Sequence, residues 1–435
     1  MKISDVFNSK QIRVAVAGSL GIKFLSALFA FLNALLLARY LSVQDFGTYV
    51  LAFTTITVLS VPVSFGLPNM MVRYVSKYQV AKNFGAIKGL LGRSNFLVLL
   101  TITFTMIVAY VLYAVWWNQY DRVVVETFWY GFILLPLIVF SSLHSSVLMG
   151  LKYMVLGQLP ESFIRNALLL VGIIAMVLFG QNLTPQWAML IHIFAAAIAL
   201  IAGYVFLQAK LLRKLRQIPP EFHNKQWLKA ATPFGITSGV QIVKARLIHY
   251  VLVYFGSLEA VAVFDVALRG ANLVAFTLDA LNKAISPYLS TAFELNNHET
   301  LQRIVTKTTR IVFVFALPVA MIFMMGGESL LDFLFGKEYI SAYIPLLILC
   351  VGQLINAATG SAGTLLNMTG HQRYFSANQV QMMILMALIS VPLVLYLDVI
   401  GASLAFGLML VVQNVLLVLY IHSRLKINTT LFKWK

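Results

Sequence analysis

Apolar runs of about 20 residues, the length that crosses a bilayer as a helix, recur along this chain. They lie near 14–38, 46–66, 95–116, 128–149, 161–180 and 186–209, and again near 233–256, 261–285, 306–325, 343–366, 375–396 and 400–421. Between the two sets, the stretch from Lys210 to Lys229 holds Arg213, Lys214, Arg216, Lys225 and the helix-stopping pair Pro219 and Pro220. The pattern predicts an all-α integral membrane protein of twelve transmembrane helices. A six-helix lobe is expected over 1–209, a cytoplasmic linker over 210–232 and a second six-helix lobe over 233–435. The first apolar run is too long for a signal-peptide core and reads as an uncleaved span. Pro62, Pro136, Pro318, Pro345 and Pro392 fall within spans and, with Gly66 and Gly326-Gly327, predict kinks.

The polar positions inside these runs are mostly cationic: Lys23, Lys244, Arg246, Arg269 and Lys283. An ionisable group in hydrocarbon costs at least a few kcal/mol unless it faces protein or water, so each needs a partner or a wet cavity. In the first span Ser19, Lys23, Ser26, Ala30 and Asn33 recur at three- and four-residue steps and share one helix face. No acid accompanies Lys23 on its helix, so it either lines a cavity, the favoured reading, or meets a partner on another helix. In the eighth span Asp265, Arg269, Asn272, Phe276, Asp279 and Lys283 form the most regular stripe in the chain. Asp265 with Arg269 and Asp279 with Lys283 are i,i+4 pairs with the acid first. That stripe is either a self-neutralising structural ladder or a path for substrate or ions, with Asp265 and Asp279 as candidate ion-coupling groups. Lys244 and Arg246 lie two residues apart, roughly 200° around a helix. Either one lines a cavity while the other meets a neighbouring helix, or the helix unwinds there. Arg165, one turn after Glu161, forms an interfacial pair, snorkels, or has a functional role. The candidate substrate-binding set is Lys23, Asn33, Lys244, Arg246, Arg269 and Lys283, and its positive sign implies an anionic cargo.

Composition agrees with the span pattern. Hydrophobic residues make up 60% of 435 positions and charged residues 11%, with a mean hydropathy of +0.86. The net charge of +17 does not read as nucleic-acid binding, because the basic residues lie in short loops between spans, where they set orientation or meet lipid headgroups. Lys2, Lys10, Arg13, Arg73, Lys77, Lys82, Lys88, Arg93, Lys152, the linker, Arg303, Lys307, Arg310, Arg373, Arg424, Lys426, Lys433 and Lys435 fall on one side. By the positive-inside rule both termini are then cytoplasmic, consistent with an even number of spans. Trp116, Trp117, Trp129 and Trp187 sit at span ends and read as interfacial anchors. Cys350 is the sole cysteine, the histidines lack ligand spacing, and there is no Walker-type lysine motif, so no disulfide, metal, cofactor or ATP chemistry is expected.

An internal echo links the two halves. Ser42-Val43-Gln44-Asp45-Phe46-Gly47-Thr48-Tyr49 joins the first span to the second, and Ser257-Leu258-Glu259-Ala260-Val261-Ala262-Val263-Phe264 joins the seventh to the eighth. Gly150, Lys152 and Tyr153 pair more weakly with Gly370, Arg373 and Tyr374. Two six-span copies in one orientation imply a pseudo-twofold along the membrane normal and a midplane site between halves.

The stretch Ala38 to Tyr49, with Phe65-Gly66-Leu67-Pro68 and Arg73-Tyr74, resembles the amino-terminal signature of polysaccharide-biosynthesis membrane proteins. These are Wzx-type flippases of the multidrug/oligosaccharidyl-lipid/polysaccharide exporter superfamily. The resemblance implies a MATE-like, V-shaped, two-lobed transporter in the bacterial cytoplasmic membrane, carrying polyprenyl-pyrophosphate-linked glycan to the outer leaflet by alternating access. Its implied partners are that lipid-linked glycan, the bilayer and other polysaccharide assembly proteins. Three rivals fit less well. A cation exporter of the same superfamily would place carboxylates where Lys23 stands, and a glycan polymerase would carry a sizeable outer loop. A scaffolding membrane protein leaves the interior cations unexplained.

Overall fold

The computed structural model describes residues 10–116 and 121–431. Lys2, Trp117, Lys433 and Lys435 lie outside the described residues, as do the side chains of Lys10, Arg13, Trp116 and Lys283. The chain divides into two compact units, Met1–Val243 and Lys244–Lys435. Unit 1 contains α1 (Lys10–Tyr40), α2 (Val43–Ser64), α3 (Leu67–Val80), α4 (Phe84–Trp116) and α5 (Arg122–Gly150). It continues with α6 (Met154–Leu178), α7 (Pro185–Leu215) and the start of α8 (Asn224–Phe255). Unit 2 holds the rest of α8, then α9 (Leu258–Glu294), α10 (His298–Phe335), a 3-10 turn (Lys337–Ala342), α11 (Tyr343–Thr359), α12 (Ala362–Met368) and α13 (Gln372–Leu425).

Among the described residues, 10 helices are long and apolar enough to cross a membrane. Helix α8 is not one of them, because Gln241, Lys244, Arg246 and His249 dilute its apolar run. Helix α13, at 54 residues, is broken at Asp398 (φ 47°, ψ −124°), between the two spans expected at 375–396 and 400–421. Gly401 makes that reversal feasible, since a Cβ there would lie 1.9 Å from the Leu393 carbonyl oxygen. Helix α10 breaks at Gly327 (φ 57°, ψ −148°), within the predicted Gly326-Gly327 kink.

Helix α3 is an element that span counting passes over. Leu67, Met70, Met71, Tyr74, Val75 and Tyr78 are buried at helical spacing, whereas Arg73 and Lys77 are exposed. Its entry explains the Phe65-Gly66-Leu67-Pro68 motif. Phe65 and Gly66 are both left-handed (φ 45° and 69°), and Pro68 stands in the first turn of α3, where its missing N–H costs nothing. A Cβ on Gly66 would meet the Gly235 backbone nitrogen at 2.2 Å, so α8 can cross there only over glycine.

The internal echo proves to be a shared helix cap. Ser42 Oγ accepts the Asp45 N–H at 3.1 Å to start α2, and Ser257 Oγ accepts the Ala260 N–H at 3.0 Å to start α9. The stretch read as a linker is fastened to unit 1 rather than hanging free. Lys88 Nζ donates to the carbonyls of Ile218 (2.7 Å) and Arg216 (3.3 Å), and the Glu221 N–H donates to the Gly85 carbonyl (3.0 Å). The Trp227 indole donates to the Tyr78 hydroxyl at 2.9 Å. Burial raises that phenol above its ordinary pKa, which keeps it a neutral acceptor.

Candidate functional site

Unit 2 brings two of the expected cations into very different surroundings. Lys244 projects from α8 towards α13, where its ammonium donates to Gln379 Oε1 at 2.6 Å and to Gln413 Oε1. Gln379 comes from the first arm of α13 and Gln413, itself buried, from the second. Among the described residues no carboxylate lies within 4.0 Å of Lys244. Because both amide oxygens accept from the ammonium, each glutamine keeps its amide N–H groups as donors. The trio therefore presents a positive charge and N–H groups, the chemistry that holds an oxyanion.

Arg269 is the opposite case. One turn earlier on α9, Asp265 accepts from Arg269 Nε at 2.5 Å through Oδ2 and meets His249 Nε2 at 3.3 Å through Oδ1. The Asp265 and His249 side chains are buried, at 3% and 0% exposure. Arg246 lies in the field of Asp265 and Arg269 but closes no ion pair within 4.0 Å among the described residues. Helix α8 keeps regular geometry here, so its two cations diverge, Lys244 towards α13 and Arg246 towards the Asp265 cluster. Asp279 is exposed and interacts with neighbouring groups. Its expected partner, the Lys283 side chain, lies outside the described residues.

Unit 1 carries a separate polar cluster. Lys23 is half-buried and engaged with its surroundings. Asn33, 4% exposed, donates through Nδ2 to the Asn166 carbonyl at 2.9 Å and ties α1 to α6. Residues 159–164 of α6 form a π-turn, the kind of local widening common at functional sites. Arg165 follows it. Its Nε is buried without a hydrogen-bond partner, and Glu161 acts on it electrostatically but not through a direct ion pair among the described residues. Tyr49 OH and His192 Nδ1 are 2.9 Å apart, with Phe53 stacked on the imidazole at 5.0 Å. Sequence reading weighed His192 only as a metal ligand and gave Tyr49 no site role. Their partnership spans 143 residues, so only the isolated polarity of His192 within an apolar helix pointed to it. Among the described residues no group of three His, Cys, Asp or Glu side chains is arranged to hold a metal ion.

Comparison with known proteins follows the same division between fold and chemistry. Residues 16–293 match the family model described as polysaccharide biosynthesis protein. No curated protein matches the chain significantly in sequence. In three dimensions the chain is similar to an inward-facing multidrug resistance MATE family transporter of the MOP superfamily (TM-score 0.78, 15% identity, covering 94% of this chain and 98% of that one). It is also similar to the lipid II flippase MurJ in an inward closed conformation (0.72, 10%, 92% and 86%). A third similar structure is the MATE multidrug transporter DinF-BH (0.69, 16%, 98% and 97%). The fold is thus all-α, integral to the membrane and MATE-like.

Proposed function

Because the chain belongs to the polysaccharide biosynthesis protein family, we propose that it is a flippase for polyprenyl-pyrophosphate-linked oligosaccharide. At the coarser level it is a multi-pass membrane protein of a transporter family, and not an enzyme. In the proposed cycle the lipid-linked glycan passes from the cytoplasmic to the outer leaflet of a bacterial cytoplasmic membrane by alternating access. The termini lie on the cytoplasmic side. The prenyl tail stays in lipid while the sugars follow a hydrated path.

Lys244 is the observation that supports this reading. A cation on the polar stretch of α8 is held by two amide oxygens and, among the described residues, by no acid, so its charge is available to a ligand. A pyrophosphate leaving water loses hydration worth many kcal/mol, and fixed N–H donors beside an ammonium replace part of it. Lys23, already engaged in unit 1, takes the lesser part, and Arg269 is committed to Asp265. A cation exporter would need the reverse polarity at Lys244.

Membranes from cells lacking the protein test the proposal. The expected result is a complete lipid-linked repeat unit accumulating in the cytoplasmic leaflet. Accumulation in the outer leaflet, or shortened polymer with normal translocation, would replace the flippase reading with a polymerase.

A further inference from the structure

Unit 1 contains a cavity that the transport reading does not use. The start of α8 is pinned to the unit by the Trp227 indole on the Tyr78 hydroxyl. Beside that pin lies a cavity of about 70 Å³, walled by Leu67 and Met70 of α3, Leu90 and Leu97 of α4, and Trp227 and Leu228 of α8. Its walls are hydrocarbon and an indole whose N–H is already used, so it takes apolar atoms rather than water. Leu228 is 52% exposed and Asn224, which also lines the cavity, is exposed, so it opens along the edge of α8.

Arg93 supplies the second observation. It lines the same cavity, is half-buried, and holds its guanidinium 5.4 Å from the ring of Phe96, itself 53% exposed, so the charge reaches the outer surface. Among the described residues no carboxylate lies within 4.0 Å of it. Arg93 stands just before the apolar run of α4 near 95–116, which puts it at the depth of lipid headgroups. Lys225 and Lys229, exposed on the first turns of α8, add positive charge. Glu221, the acid in the segment leading into α8, accepts from the Asn83 amide at 2.9 Å.

We propose that this is a binding site for one anionic phospholipid of the bilayer, with a stretch of acyl chain in the cavity and the phosphate on Arg93. An apolar cavity and an unpaired cation at headgroup depth match two parts of one molecule, and the guanidinium fork suits a phosphodiester. Basic pockets between membrane helices recognise anionic headgroups in this way. The choline of a zwitterionic lipid meets Arg93, Lys225 and Lys229 as like charge. A lipid so held joins α3, α4 and α8 and steadies the entry into α8. The site serves the bilayer rather than the cargo, so it stands or falls independently of the flippase reading.

Native mass spectrometry of the purified full-length protein, titrated in detergent with phosphatidylglycerol or phosphatidylcholine, tests this. The wild type is expected to bind phosphatidylglycerol about tenfold more tightly, the effect of one charge-assisted contact. Arg93→Gln is expected to erase that preference, whereas Arg303→Gln, which removes an exposed cation of unit 2, keeps it. Leu97→Phe, which fills the cavity, is expected to weaken both lipids. Equal affinities in the wild type overturn the proposal without recourse to any variant. So do a preference that survives Arg93→Gln and wild-type binding of both lipids by Leu97→Phe. Tighter capture of a polyprenyl phosphate than of phosphatidylglycerol, lost in Arg93→Gln, also overturns it and assigns the site to the cargo.

Discussion

Lys244 and Arg269 are both cations inside unit 2, yet in the proposed mechanism one is a tool and the other a fastening. Arg269 has an acid one turn away on its own helix and a histidine completing the carboxylate's coordination. Lys244 has amide oxygens from two arms of α13. An ion pair closed within the protein neutralises its own field and has little left for a ligand; here the carboxylate also ties α9 to α8 through His249. An ammonium solvated by amides keeps its field and its remaining N–H. What surrounds an intramembrane charge, rather than its mere presence, separates structure from function.

The largest effect should come from breaking the fastening. Asp265→Asn keeps shape but strands Arg269, and should cost about 3–5 kcal/mol of stability, seen as a large fall in the thermal unfolding temperature of the purified protein. The matching change at the other site, Lys244→Gln, should leave stability within about 1 kcal/mol. It should cut transport by about 10- to 100-fold, the loss of one charge-assisted hydrogen bond. Gln413→Glu sharpens the comparison by giving Lys244 the acid it lacks. It should lower transport by about tenfold with stability unchanged or raised by under about 1 kcal/mol, converting the tool into a fastening. The smallest effect belongs to Arg246→Gln, which removes a cation that closes no ion pair within 4.0 Å among the described residues. A two- to threefold loss of transport, about 0.5 kcal/mol, with unchanged unfolding is expected.

Much of this was legible in the sequence because it is local. Hydrophobic runs of membrane length gave the spans, and the serine cap repeated at Ser42 and Ser257 marked the start of α2 and α9. The Asp265–Arg269 pair followed from i,i+4 spacing alone. Helix α3 escaped because its 14 residues are amphipathic and too short to cross a bilayer. The partners of Lys244 escaped for another reason: Gln379 and Gln413 lie 135 and 169 residues away, and a neutral amide in an apolar helix carries no directional signal. Spacing alone leaves open whether Lys244 and Arg246 diverge around a regular α8 or the helix unwinds there; packing shows Lys244 turned to two amides and Arg246 in the field of Asp265.

The flipping rate of lipid-linked oligosaccharide by Lys244→Gln, reconstituted in vesicles beside the wild type, tests the central claim most directly. A fold-intact variant that flips at least about tenfold more slowly is the expected result. Wild-type flipping without the Lys244 ammonium would contradict it.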